Sequence, residues 1–290
     1  MMRFGISTHL VHGERLTRRH LERIAAHGFR LVEVFATASH VDYRSPAAVA
    51  EVRGWLDALE LTAWSLHAPI TDSFTGGVWG RTYSLAAAGA ARRQDAVDET
   101  LAALEAARTL GCSTVVVHLG VPSESSPRED NDRDAMQRSL GTLAEASRTA
   151  GVRLALEVLP GALATPEWLD RWFSADLDLA DAGICLDVGH AHLAGGAPEA
   201  VELLAGHIIT THVHDNRGRT DDHLVPFTGT IDWTVTTTAL SKVGYAGPLI
   251  FELPDHGDVE RTLAAAVGAE RRLQAILEDL SQPLGFEFVE

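Results

Sequence analysis

Histidines and acidic residues end several short apolar segments of this sequence. The positions are His67, His118, Glu157, Asp187, His212 and Glu252. Imidazole and carboxylate groups without thiolates suit zinc, manganese or cobalt better than calcium, and magnesium is less natural with imidazole. A single histidine after a strand more often makes a structural hydrogen bond. The repetition over successive segments, rather than any one residue, predicts a divalent metal site.

Two glutamates interrupt strongly apolar runs. Glu157 lies within 154–158 and Glu252 within 249–253. Removing an unpaired carboxylate from water is costly, so each needs a metal ion or an inward-facing arginine beside it. The neighbouring segment ends supply acids and imidazoles rather than guanidinium groups. We therefore expect both glutamates to ligate metal.

Two further pairs place an acid close to a histidine. Asp187 precedes His190 by three positions, with Gly189 between them to allow a tight turn, and Asp221 precedes His223 by two. We expect His212 to face inward and His214 to begin a loop. The other histidines are expected at the surface or at helix ends; they are His9, His12, His20, His27, His40, His207 and His256.

The elements that must position these residues alternate along the chain. Apolar runs predict eight strands at 3–7, 31–35, 62–67, 114–118, 153–157, 183–187, 208–212 and 248–252, with helical periodicity between them. This alternation favours a parallel sheet closed as a (β/α)₈ TIM barrel, and 290 residues suit one such domain, 1–290. All strand ends then meet at one mouth. The long loops 68–91 and 214–232 leave that same end.

Composition excludes several classes of function. The net charge of −16 makes nucleic acid an unlikely partner, because a polyanion would meet a repulsive field. The single lysine, Lys242, falls in a predicted helix and offers no Schiff-base candidate at a strand end. No apolar run is long enough for a membrane helix, and no signal-peptide stretch precedes the first strand, so we expect a cytoplasmic protein. Pairing of identical chains through an apolar helix face is left open.

Several motifs resemble the xylose-isomerase-like TIM-barrel superfamily over essentially the whole chain. They are Leu66-His67-Ala68-Pro69, Leu156-Glu157, Leu186-Asp187-Val188-Gly189-His190-Ala191-His192, His212-Val213-His214-Asp215-Asn216, Asp221-Asp222-His223, Gly229-Thr230-Ile231-Asp232-Trp233 and Gly244-Tyr245-Ala246-Gly247-Pro248. The superfamily contains sugar and sugar-phosphate isomerases and epimerases, inosose dehydratases and endonuclease IV.

The resemblance to the isomerases and epimerases implies one metal site. Its ligands would be Glu157, Asp187, His212 and Glu252. Glu157 and Glu252 would be the catalytic pair that exchanges a proton beside a carbonyl through an enediolate, and the metal, zinc or manganese before cobalt or magnesium, would stabilise its charge. The substrate would be a small carbohydrate or polyol derivative. We expect His67, His118 and His190 to contact it.

Three alternatives stay open. Endonuclease IV binds three zinc ions, and all nine of its ligand positions are matched if His67, His118, His190, Asp221 and His223 are additional metal ligands. The acidic charge, the single lysine, the segment 35–44 and Ile70 where the nuclease has an aromatic residue weigh against it. A dehydratase or another lyase would use the same proton abstraction. A binding or regulatory protein would keep the barrel without catalysis.

Substrate identity depends on loop residues. Arg217 and Arg219 offer guanidinium groups to a phosphate or carboxylate, although an arginine on a polar loop is often only solvated. Phe74 and Trp79 would either cover a sugar ring or pack their own loop. Trp64 alternates with Ser65 and His67 and is expected to contact the outer helices.

Overall fold

Eight parallel strands close into a barrel, as the sequence predicts. The computed structural model describes residues 2–122, 128–161, 163–175 and 181–281. The barrel strands are β1 (Phe4–Ser7), β2 (Leu31–Phe35), β3 (Thr62–His67), β4 (Thr114–Val117), β5 (Arg153–Glu157), β6 (Gly183–Asp187), β7 (Ile208–Val213) and β8 (Leu249–Phe251). Strand β1 pairs with both β2 and β8, so the sheet has no open edge. The extent of a single domain over 1–290 stays a prediction.

Helices connect the strands on the outside of the barrel. They are α1 (Arg18–Ala26), α2 (Pro46–Ala58), α3 (Ala90–Leu110), α4 (Arg133–Ala150), α5 (Pro166–Phe173), α6 (Val188–Leu193), α7 (Ala197–Leu203), α8 (Trp233–Lys242) and α9 (Val259–Ser281). Side-chain oxygens of Ser45, Asp132, Thr165 and Asp232 accept backbone N–H groups at helix starts, which fixes where those helices begin. In the part of the chain described, no helix has the length and hydropathy that crossing a bilayer demands.

The alternation of side chains along the strands separates two apolar cores. Outward residues such as Val32, Leu66 and Leu154 pack under the helices in one large cluster. A second, small cluster of Ala155, Cys185 and Val116 lies apart from it. Ala155 and Glu157 share a strand face, because residues two apart point the same way. The small side chains therefore fill the barrel interior beneath the mouth.

The Trp64 side chain points across the barrel rather than toward the outer helices, so that prediction is wrong. A bulge between β2 and β3 pairs Val32 with Ala63 but Glu33 with Ser65, leaving Trp64 as an extra residue. The bulge breaks the simple alternation on which the prediction was based. The Trp64 indole N–H donates to the hydroxyl of Thr210 on β7, 3.3 Å away and across the barrel.

A buried histidine ties the first two strands together at the mouth. The Phe35 N–H donates to Thr8 Oγ1 (2.9 Å), which lies 3.1 Å from His40 Nε2, while His40 Nδ1 is 2.5 Å from the carbonyl oxygen of Glu14. The chain of donors requires a neutral ring protonated on Nδ1. Burial lowers the pKa of His40 from 6.5 to about 4, although its hydrogen bond to Glu14 opposes the shift. His40 is thus not the surface residue that the sequence predicts.

We expect His40 to make the fold acid-sensitive. The unfolded chain binds a proton at this ring below pH 6.5 and the folded chain only near pH 4, so stability is present above pH 6.5 and is lost as the pH falls. The loss approaches about 3 kcal/mol at pH 4, at about 1.4 kcal/mol per pKa unit. Urea unfolding at pH 7, 5.5 and 4.5 should show a shallower pH dependence in His40→Gln than in the wild type. Equal slopes would contradict this role.

Candidate active site

Glu157 is surrounded by three histidines at the mouth of the barrel. Its Oε2 lies 3.1 Å from His67 Nε2 and 2.8 Å from His118 Nε2, and its Oε1 lies 3.0 Å from His212 Nδ1. The glutamate side chain is 1% exposed. The sequence prediction that residues from four separate strands meet here is matched by these contacts, because parallel strands bring their carboxyl ends together.

One nitrogen of His212 faces three carboxylates. Its Nδ1 lies 3.0 Å from Glu157, 3.7 Å from Asp187 and 3.5 Å from Glu252. Ligand atoms of these four residues all lie within 4.8 Å of one another. Neither lysine nor arginine is among the described residues that line the adjacent cavity. Buried acids without a basic side chain need another cation, so this donor set fits a divalent metal ion.

A second group of possible ligands lies beside the first. Asp221 Oδ2 is 3.1 Å from both His190 Nε2 and His223 Nε2, and Asp221 Oδ1 is 3.8 Å from His214 Nε2. These four residues also have ligand atoms within 4.8 Å of one another. His67, Glu157 and His212 form a further set of the same kind. The structure therefore brings together all nine positions that the sequence analysis named as metal ligands.

Asp187 joins the two groups. Its Oδ1 accepts the backbone N–H of His190 at 2.6 Å, which caps α6, and its two oxygens lie 3.0 and 3.1 Å from His214 Nε2. His214 begins the loop after β7, as predicted, and is fully buried. Strand β7 extends one residue further than predicted, to Val213, and carries His214 into the mouth.

Gly189 is needed for close approach rather than for a special backbone turn. A Cβ atom at this position would lie 2.0 Å from Cε1 of His214. Any larger residue would push the imidazole away from Asp187.

Asp215 holds the long loop that carries Asp221 and His223. Its carboxylate accepts the backbone N–H groups of Asn216, Phe227 and Ile231 and the indole N–H of Trp233, at 2.9 to 3.2 Å. A Cβ at Gly229 would lie 2.2 Å from the same carboxylate. The sequence motifs on either side of the loop are therefore parts of one hydrogen-bonded unit.

Carboxylates and histidines at Glu157 stabilise each other's charged forms. Burial, the largest single effect, would lower the pKa of His67, but its hydrogen bond to Glu157 and the charges of Glu157, Glu33 and Glu252 together raise that pKa to about 9. Burial would raise the pKa of Glu157, but His118 and His212 hold it well below its usual range. In the absence of a metal ion, protons on the imidazoles neutralise the acids.

The second group behaves in the same way. Burial opposes protonation of His190, yet the charge of Asp187 and the hydrogen bond to Asp221 raise its pKa to about 10. At His223, burial is likewise opposed by the hydrogen bond to Asp221 and by the charges of the surrounding acids, which together raise its pKa to about 9. A cation that bound here would replace these protons.

A cavity of about 510 Å³ opens above these residues. One wall is aromatic: the rings of His12 and Trp79 stack with centroids 5.0 Å apart, and the rings of His9 and His12 stack at 4.3 Å. Phe74 and Trp79 pair in a short hairpin and both line the cavity. His9 and His12 line it too. The sequence analysis placed both among the surface or helix-end residues, and His12 does end the short 3₁₀ helix at 8–11, but it gave neither residue a part in the site. The position of His9 just after β1 was the available signal.

One residue that was predicted for the site lies outside it. The Arg217 side chain is 63% exposed, lies 3.9 Å from Asp222 and is not among the described cavity-lining residues. The structure gives no support to Arg217 as a substrate ligand.

Glu33, which the sequence analysis did not single out, is fully buried and lies 3.1 Å from His212 Nε2. An acid in the middle of the apolar strand Leu31–Phe35 was its sequence signal.

Residues 21–276 match the family described as xylose isomerase-like TIM barrel. The chain belongs to this family. The uncharacterized protein MJ1311 of Methanocaldococcus jannaschii is 30% identical over 289 residues, which cover 97% of this chain and 91% of that protein.

Solved structures share the fold along nearly the whole chain. A D-tagatose 3-epimerase-like protein is 30% identical with a TM-score of 0.79, covering 96% of this chain and 98% of the other. A D-psicose 3-epimerase solved in the presence of D-fructose is 18% identical with a TM-score of 0.74, covering 95% and 99%. The IOLI protein, whose crystal structure contains a zinc atom, is 18% identical with a TM-score of 0.73, covering 96% and 99%.

We predict that Gly189→Ala disrupts both groups of possible ligands. The added methyl group would displace His214 from Asp187 and overpack the site, at a cost of about 1–3 kcal/mol in the free energy of unfolding. Chemical unfolding and metal content per chain would measure the two effects.

Gly141→Ala is the matched control. Gly141 lies in the interior of exposed α4, and nothing lies within 4 Å of a Cβ built there. Helix propensity should make this variant more stable by about 0.5–1 kcal/mol, with unchanged metal content. If both variants behave alike, Gly189 has no special packing role.

Proposed function

We propose that this protein is a divalent-metal-dependent sugar isomerase or epimerase that transfers a proton at a carbon next to a carbonyl. The main support is that Glu157 and Glu252 approach the same imidazole nitrogen of His212, at 3.0 and 3.5 Å, inside a buried mouth whose described lining includes neither lysine nor arginine. Two carboxylates close to one metal-binding point can serve as a base and an acid on one substrate.

The metal would be held by Glu157, Asp187, His212 and Glu252. It would polarise a substrate carbonyl and stabilise the negative charge that develops when a neighbouring proton leaves. Zinc or manganese suits this mixture of imidazole and carboxylate ligands, and the zinc in the IOLI protein is consistent with that choice. Elemental analysis, described below, would measure the number of metal ions per chain.

Proton transfer would use the two glutamates. One carboxylate takes the proton from the carbon beside the carbonyl, leaving an enediolate, and the other carboxylic acid returns a proton to that carbon from the opposite side for epimerisation. In an isomerisation the proton returns to the neighbouring carbon instead. His67, His118 and His190 line the cavity beside Glu157 and would orient the substrate hydroxyl groups.

The cavity favours an unphosphorylated sugar. Its described lining combines acids and histidines with the rings of Phe35, Phe74 and Trp79 and includes no guanidinium or ammonium group. A phosphate would find no arginine or lysine to pair with among these described residues and would face Asp221 and Glu252. The D-tagatose 3-epimerase-like protein and the D-psicose 3-epimerase are named for free ketoses, which agrees with this choice. Location in the cell and assembly of identical chains stay predictions.

Glu157→Gln and Glu252→Gln should each reduce kcat for ketose interconversion by at least about 100-fold, because each removes a proton-transfer group and a ligand. Turnover by NMR of the sugar products and metal content by elemental analysis provide the two readouts. Glu145→Gln, an exposed substitution on α4, is the control and should leave both unchanged. Full activity in either active-site variant would remove that glutamate from the mechanism.

Free ketoses should be better substrates than their phosphates. Placing a phosphate dianion beside these acids without an arginine or lysine to pair with it costs several kcal/mol, so kcat/KM for the phosphate should be lower by about 100-fold or more. A panel of ketopentoses, ketohexoses and their phosphates, followed by NMR, would measure this difference. Preference for a phosphate would contradict the reading of the cavity, and loss of water from the substrate would indicate a dehydratase.

A three-zinc phosphodiesterase is the second candidate. The convergence of His190, Asp221 and His223 in a second possible site favours it. The net charge of −16 and the absence of basic residues from the described cavity lining oppose binding of a phosphodiester backbone. Elemental analysis together with an abasic-DNA cleavage assay separates the two. Nearly three zinc ions per chain with cleavage would overturn the isomerase proposal.

A further inference from the structure

We propose that Glu33 is a positioning residue that orients His212 for metal binding. This inference rests on the proposed metal site of the isomerase or epimerase. It concerns a residue beneath the mouth, on β2, that contacts neither the cavity nor the two catalytic glutamates.

The Glu33 carboxylate connects two strands on opposite sides of the barrel. Its Oε2 accepts the hydroxyl proton of Ser65 on β3 at 2.8 Å and lies 3.1 Å from His212 Nε2 on β7. Glu33 and His212 side chains are both fully buried. One oxygen thus receives two donors from directions that the closed barrel fixes.

This contact determines which nitrogen of His212 points at the other acids. A carboxylate accepts but does not donate, so the proton of Nε2 is directed at Glu33. Nδ1, which lies 3.0 to 3.7 Å from Glu157, Glu252 and Asp187, is then available as a metal ligand. Without Glu33, a neutral imidazole could place its proton on Nδ1 and donate it to Glu157, which would block the ligand position.

Packing alone does not account for an acid at this position. The Oε1 of Glu33 has no hydrogen-bond partner among the described residues and is inaccessible to solvent. Nearby interior positions carry Val116, Ala155 and Cys185, which are small and apolar. A buried carboxylate with an unpartnered oxygen is costly, whereas leucine would fill similar space without that cost. Its hydrogen bond to His212 gives the residue a use that offsets the cost.

The test is Mn²⁺ binding to metal-depleted full-length protein, followed by the EPR signal of the free ion, with no substrate present. Glu33→Gln and Glu33→Leu should weaken the Mn²⁺ dissociation constant by about 10- to 100-fold, the usual effect of losing such a supporting group. Ser65→Ala, which removes the hydroxyl donor but keeps the carboxylate, should have a smaller effect. Ser139→Ala removes a buried 2.7 Å hydrogen bond to Leu85 on the outside of the barrel and should leave the constant unchanged.

NMR of ¹⁵N-histidine in the zinc-loaded wild type provides a readout that a purely structural role would not change. We expect the proton of His212 on Nε2. A proton on Nδ1, or Mn²⁺ affinities of both Glu33 variants within twofold of wild type, would overturn the inference. If only Glu33→Leu binds weakly, the hydrogen-bond acceptor rather than the charge positions the ring, which supports it. Failure of the wild type to bind Mn²⁺ or Zn²⁺ would instead overturn the proposed metal site itself.

Discussion

Carboxylates packed side by side in the mouth of a barrel repel one another unless protons or cations lie between them. Glu157, Asp187 and Glu252 approach one imidazole nitrogen within 3.7 Å, and no basic side chain stands among the described cavity residues. The surrounding histidines reduce this repulsion by holding protons, and a metal ion would reduce it by charge.

Keeping these acids together requires a scaffold that cannot relax away from them. Closure of the eight strands fixes the positions at which the side chains emerge. Asp215 performs the equivalent task for the loop by holding three backbone N–H groups and one indole N–H. The site therefore depends on elements from the whole length of the chain, although its reacting groups occupy a small volume.

The sequence predicts the strands and most of the site because both follow from a period of two. An acid or imidazole that ends an apolar strand must emerge at the mouth, and Glu157 and Glu252 were found in this way. Glu33 stands in the middle of its strand rather than at its end, so this rule does not find it, although an acid inside an apolar run was a signal. Trp64 could not be placed, since one bulge between β2 and β3 reverses its direction. The places of His9 and His12 in the cavity wall depend on a short 3₁₀ helix at 8–11, which strand periodicity does not predict. The direction of the Arg217 side chain depends on the path of a loop, where sequence periodicity carries no information.

The shared use of Asp187 links binding in the mouth to the local folding of α6. The same carboxylate caps the first turn of this helix through the His190 N–H and contacts the buried ring of His214. A cation that drew Oδ1 of Asp187 toward itself would compete with the helix cap, whereas a cation that bound only Oδ2 would leave the cap in place. Occupancy of the mouth and order in the first turn of α6 are then thermodynamically linked, so each should respond when the other is changed.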